Sequence, residues 1–83
     1  MDFKIDYLQF KQEMLDKVNF TPSNVWINFY GKVQFFTEDA VLLHNITQKF
    51  KDSQILFLNL KEELREQLQF IVRSNDNIRV LAR

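Results

Sequence analysis

Residues 50–72, FKDSQILFLNLKEELREQLQFIV, form the stretch on which the fold reading turns. Phe57, Leu60, Leu64, Leu68 and Ile71 recur at intervals of three and four, with Phe50 and Leu56 ahead of them. That spacing lines up one face of a helix. Thr47 stands in front as a cap. The pattern therefore predicts a long amphipathic helix over roughly 48–72. Ser74-Asn75-Asp76-Asn77 breaks it, and Ile78 to Leu81 reads as a last short strand. One alternative stays open: Phe70, Ile71 and Val72 also suit a strand over 69–73, paired with 78–82 across the Asn-Asp-Asn turn.

Upstream, Asp6 followed by Gln9 has the form of a capping box. Tyr7, Phe10, Met14 and Val18 then predict a helix over about 7–18. Thr21-Pro22 is a second helix start, with Val25, Trp26 and Phe29 on one face. Gly31 suits the left-handed residue that closes such a helix. Lys32-Val33-Gln34-Phe35 alternates as a strand does, Thr37 to Ala40 reads as a turn, and Val41 to Ile46 as the returning strand. The expected fold is α+β, in the order α-α-β-β-α-β, with a small three-stranded sheet packed against helices.

Composition sets the outer limits. The 83 residues allow a single domain, 1–83. Hydrophobic residues at 46% and charged residues at 27% mark a globular chain. Formal net charge is zero, so the basic excess that drives phosphate binding is missing. There is no cysteine, which excludes disulfides and thiolate metal sites and favours a reducing, cytoplasmic location. The start Met1-Asp2-Phe3-Lys4 lacks a signal-peptide pattern, and no apolar run reaches the ~20 residues of a membrane span. No membrane association is expected.

Candidate catalytic groups are sparse. His44 is the only histidine, and no serine lies in a nucleophile-elbow context. Glu38-Asp39 and Glu62, Glu63 and Glu66 sit in a turn and on a polar helix face, without the differing environments of an acid–base pair. The single glycine rules out a phosphate-cradling loop. An enzyme is not expected, nor a cofactor or metal. Apolar residues, in contrast, are in excess. Phe35-Phe36 and Leu42-Leu43 point both ways from a strand, and Ile55 to Leu58 encircle much of a helix. Such a surplus marks an interface. Trp26 is either a core anchor or a binding aromatic. Lys49, Lys51 and Arg79 near Phe50 are the candidates for single-stranded nucleic-acid contact, which needs rings beside basic groups.

Element order and landmark spacing resemble domain I, the KH-like N-terminal domain of the bacterial chromosomal replication initiator DnaA. Tyr7 stands where the family has an aromatic, usually Trp, in its first helix. Trp26-Ile27 matches the Trp-Ile pair of the second helix. Gln48-Lys49-Phe50 stands at the family's Asn-x-Phe, and Ile78-Arg79-Val80 at the last strand. The resemblance implies weak self-association through the surface around Tyr7 and Phe10. It also implies recruitment of the replicative helicase or regulatory replication proteins at a surface including Phe50, and weak binding of single-stranded DNA. The C-terminal adaptor domain of clamp-loader tau-type subunits is a second, similar module.

Overall fold

The computed structural model describes residues 1–81. Four strands, β1 (Asp2–Asp6), β2 (Asn24–Asn28), β3 (Gln54–Leu58) and β4 (Ile78–Val80), form one sheet in the order β1-β2-β3-β4. Every neighbouring pair is parallel. The connections carry a short 3-10 turn (Tyr7–Gln9) and α1 (Gln12–Asp16), then α2 (Thr37–Lys49), then α3 (Glu62–Gln67) and α4 (Gln69–Ser74).

The mixed α+β composition agrees with the sequence reading. The arrangement does not: the expected α-α-β-β-α-β order and KH-like three-stranded sheet give way to four parallel strands alternating with helices. Each difference has a local cause. Asp2-Phe3-Lys4-Ile5-Asp6 alternates at period two and becomes β1, whose inward residue Ile5 is buried. Thr21-Pro22 does not open a helix. Pro22 is buried, and its carbonyl accepts a 2.6 Å hydrogen bond from the Ser53 hydroxyl. The backbone continues into β2, where Val25 and Ile27 are fully buried between half-buried neighbours.

Of the expected hairpin, Lys32–Phe35 is irregular loop, and the turn and returning strand over 37–46 are α2. Phe36, not a polar residue, precedes its first turn, and Asp39 supplies the capping contact from inside by accepting the Phe36 N–H at 2.8 Å. Leu43, Ile46, Thr47 and Phe50 then form one buried stripe at spacings of three, four and seven. The expected long helix is interrupted. Its segment Ile55-Leu56-Phe57-Leu58 is β3, an inner strand whose continuous apolar run is the usual signature of parallel strands. Residues 69–73 are helical, within α4. Position 82 of the alternative strand lies outside the described residues. The final strand at Ile78–Val80 is where the sequence placed it.

The core lies on one side of the sheet. Ile5, Val25, Ile27, Ile55, Phe57 and Ile78 join Leu15, Leu43, Ile46, Phe50 and Leu68 from the helices and turns in one buried cluster. Consecutive parallel strands joined by crossovers of one hand put their connections on the same side, in keeping with the residues of α1, α2 and the α3–α4 junction that join this cluster. Aromatic rings weld this layer, Tyr7, Phe57 and Phe35 all lying against Phe29 at centroid distances of 4.9, 5.1 and 5.8 Å.

Phe57, fully buried in this layer, tests the arrangement. Phe57→Ala is expected to cost ~3–5 kcal/mol, most of what a domain of this size has. Urea denaturation followed by far-ultraviolet circular dichroism should find the variant largely unfolded without denaturant.

Candidate functional site

The opposite side of the sheet carries the other half of each strand. In register, Asp2, Asn24 and Gln54 form one row. Lys4, Trp26, Leu56 and Arg79 form the second, and Asp6, Asn28 and Leu58 the third. None of these residues belongs to the core cluster or packs against it. Asp2, Lys4, Asp6 and Arg79 are exposed, whereas Asn24, Trp26, Asn28, Gln54 and Leu58 are half-buried. Only Leu56, flanked by Trp26 and Arg79, is buried, at 6% exposure. A shallow groove of about 480 Å³ runs across β1 and β2 and is lined by Asp2, Lys4, Asp6, Trp26, Asn28 and Leu58.

Local hydrogen bonds hold this face in shape. Asp2 accepts from the Asn24 amide at 3.0 Å and from the Trp26 indole N–H at 3.2 Å. These two bonds, Asn24 first, hold its carboxyl below the ordinary carboxylate value. The indole is thereby fixed by its polar edge against β1. At the other end of the strands, Asn28 accepts from the Tyr30 N–H at 3.1 Å and from the Asn59 amide at 2.8 Å. Asn59 has a positive φ of 56°, and its side-chain bond to Asn28 ties the ends of β2 and β3 together.

A second concavity, about 710 Å³, lies beyond the carboxyl ends of β2, β3 and β4, between Tyr30, Gly31, Leu60, Lys61, Arg65 and Val80. Open parallel sheets bind small ligands where the strand order reverses. Here the order never reverses. Among the described residues no buried side-chain nitrogen or oxygen lacks a partner.

A third cluster is built around Asp39. Its carboxylate accepts from the Tyr7 hydroxyl at 2.7 Å and lies 3.1 Å from the Lys32 ammonium. Lys32 also lies 5.6 to 5.7 Å from the ring centroids of Tyr7, Phe35 and Phe36. Burial opposes the charge on Asp39, but the bonds from Tyr7, Phe36 and Lys32 outweigh it and hold the carboxyl below its ordinary value. Burial, with the adjacent carboxylate, pushes the Tyr7 phenol well above its own. This cluster pins the 29–36 loop to the start of α2. Gly31, at φ 87°, makes the turn that the Lys32 N–H closes onto the Phe29 carbonyl at 2.9 Å. A Cβ at Gly31 would sit 2.8 Å from the Leu8 side chain. The left-handed glycine expected at this position is present, in a loop and not at a helix end.

The structure separates the residues singled out from the sequence. Tyr7, Phe10 and Phe50 are 4%, 8% and 1% exposed, so the exposed aromatics expected at those positions are core residues. Trp26 sits on the open face. Lys49 ends α2 and Lys51 follows in the turn to β3, both exposed, while Arg79 projects from β4 on the open face. Phe50, between the two lysines, offers no accessible ring for a base to stack on. His44 and Glu62, Glu63 and Glu66 are exposed on the helix layer. Among the described residues no cluster of acidic, histidine or cysteine side chains could hold a metal, and no helix is long and apolar enough to cross a membrane. Sequence reasoning missed Asp2, Lys4, Asp6 and Leu58 as surface partners of Trp26. The alternation of residues 2–6 was the available signal.

Against protein families, curated proteins and solved structures, the chain shows no significant match in sequence or fold.

The Asp39 cluster gives a pH signature. Because its folded-state carboxyl titrates below the ordinary 3.8, its contribution is fully present above about pH 4 and is lost as pH falls through the lower folded value. Asp39→Asn is expected to lower stability by ~1–2 kcal/mol at pH 7. Urea titrations at successive pH values should show that deficit shrinking toward pH 2.

Proposed function

We propose that this chain is a protein-binding module that docks its partner on the open face of the sheet. One observation carries the reading. All-parallel sheets are otherwise covered on both faces, and here only one side of the strands meets the core cluster. The exposed side has the make-up of an interface. A tryptophan and two leucines lie across β2 and β3, and charged groups lie on the two edge strands.

The work assigned to this face is binding and not catalysis. A replisome partner, such as a replicative helicase or a regulatory replication protein, is the identity suggested by the resemblance to initiator domain I. That resemblance rested on an element order different from the parallel order described above, so the sheet face, not the likeness, supports the proposal. Binding of single-stranded nucleic acid is less well supported, because the face carries two acids against two bases and Phe50 is enclosed.

Site-specific photocrosslinking tests the reading. A p-benzoyl-phenylalanine in place of Lys4, on the open face, is expected to give a discrete protein adduct in cells producing the chain. The same probe in place of Glu66, exposed on α3, is expected to give none. Adducts from Glu66 alone, or from neither position, would overturn the proposal.

A further inference from the structure

Apart from that docking face, we infer that the outer edge of β4 takes an extended acidic segment of a partner protein, added to the sheet as a further strand. The backbone of β4 sets out the groups for it. The Ile55 N–H bonds the Asn77 carbonyl at 2.8 Å, and the Leu81 N–H bonds the Phe57 carbonyl at 3.0 Å. These bonds fix the parity: backbone groups of the odd-numbered residues face β3, so the Ile78 carbonyl and the Val80 N–H point away from the sheet. β4 is the last strand in the order, and among the described residues no further strand pairs with it. In the parallel pattern that every pair of this sheet follows, one residue of an added strand satisfies both groups, lying opposite Arg79.

The surroundings of this edge are cationic. A cleft of about 230 Å³ lies beside β4, with Val80 on one wall and Arg65, Gln69, Val72 and Arg73 from α3 and α4 on the other. No acid lines it. It meets the larger concavity at Arg65 and Val80, which line both, whereas Glu62 and Glu63 belong to the larger one alone. Arg65, Arg73 and Arg79 are exposed, and among the described residues none of them forms an ion pair. Strand alternation matches these positions. The residue opposite Arg79 carries its side chain on the open face, as Arg79 does, and its two neighbours carry theirs on the helix side, where Arg65 and Arg73 lie. A run of three acidic residues therefore finds guanidinium groups on both sides of the edge, and a guanidinium fork binds a carboxylate through paired hydrogen bonds.

The other edge of the sheet rejects the same segment. β1 carries Asp2, Lys4 and Asp6, two acids to one base, and a charged edge of that kind discourages strand addition. A nucleic-acid strand would use the guanidinium groups but leave the Ile78 carbonyl and the Val80 N–H unmatched, and no aromatic ring lines the cleft for a base to stack on. Two backbone hydrogen bonds and a few exposed ion pairs make the contact weak, with a dissociation constant on the order of 0.1–1 mM. It loosens with salt.

Nuclear magnetic resonance of the isotope-labelled chain in low salt tests this with the peptide acetyl-Ser-Val-Glu-Glu-Glu-Val-Ser-amide. The backbone amide signals of residues 78–81 should shift on titration up to about 1 mM peptide. A peptide with lysines in place of the glutamates should leave them unmoved. Methylating the amide nitrogen of the central glutamate removes the donor to the Ile78 carbonyl and should weaken binding about fivefold, whereas methylating that of the next glutamate should change it less than about twofold. Arg65→Glu and Arg73→Glu, both at exposed positions, should each weaken binding about fivefold, and Lys17→Glu, an equal charge change at an exposed position on the far side of the chain order, should stay within about twofold. Circular dichroism should show all three variants folded. Absence of shifts, equal losses from Lys17→Glu and the arginine variants, or indifference to methylation would each overturn the inference. So would an oligothymidylate that moves the same amides at lower concentration than the peptide, or the same shifts on concentrating the chain alone, which would make a second copy the occupant. Glu66 lines neither concavity, so the photocrosslinking result at the open face stands or falls separately.

Discussion

Parallel pairing in strict consecutive order is the constraint from which the other features follow. Crossovers between parallel strands share one hand as a rule, and each new strand is added on the same side of the last. All connections therefore accumulate on one face. That face becomes a core dense in aromatic and branched side chains, with Val25, Ile27, Ile55 and Phe57 fully enclosed. The other is left with whatever the alternate positions carry. In β1 those are charges, in β2 two amides around a tryptophan, and in β3 an amide and two leucines. A reversal anywhere in the strand order would have sent a helix to the second face and opened a ligand crevice at the switch point. Neither happens in this consecutive order.

The loop following β2 shows how the covered side is completed. Residues 29–36 have no regular structure, yet Phe29 is 1% exposed and touches three other rings. Asp39 makes this affordable in free energy by binding three groups at once: a phenol, a backbone amide and an ammonium. The carboxylate is charged because it is so well hydrogen-bonded, and the ammonium stays beside it because the surrounding rings favour a cation. The cluster is thus a structural clamp between the end of β1, the loop and the start of α2.

Much of the composition-level reading needed only the sequence: a small mixed domain, globular, with apolar surface to spare. The element types were harder, and the reasons are visible residue by residue. In β3, Ile55 to Leu58 is apolar on both sides, so alternation is erased and a helical spacing from Phe57 to Ile71 runs through it unopposed. In α2, the residue before the first turn is a phenylalanine, and its cap comes from Asp39 inside the helix, so Thr37-Glu38-Asp39 imitates a turn. Thr21-Pro22 imitates a helix start because the same pair also suits the entry to a strand whose first carbonyls bond elsewhere. Trp26 was legible as an aromatic worth noticing, but its surroundings were not. Asp2, Leu58 and Arg79 come from the three other strands, and only register brings them to its face. Tyr7 and Phe50 were misplaced for the converse reason. Their rings were assigned to exposed helix positions, whereas the turn after β1 and the end of α2 direct them inward.

Consecutive order also makes the sheet behave as a short linear array, in which each strand has hydrogen bonds only to the one before and the one after. Its two ends are unequal. Among the described residues β1 pairs with β2 along five positions, whereas β4 pairs with β3 along three, with bonds from Ile55 N–H to the Asn77 carbonyl and from Leu81 N–H to the Phe57 carbonyl at its ends. Opening therefore begins at β4 and travels inward toward β2, so amide protons should exchange in that spatial order. Arg79 rides on the strand that opens first, so the positive edge of the exposed face is present only while the sheet is closed to its last strand.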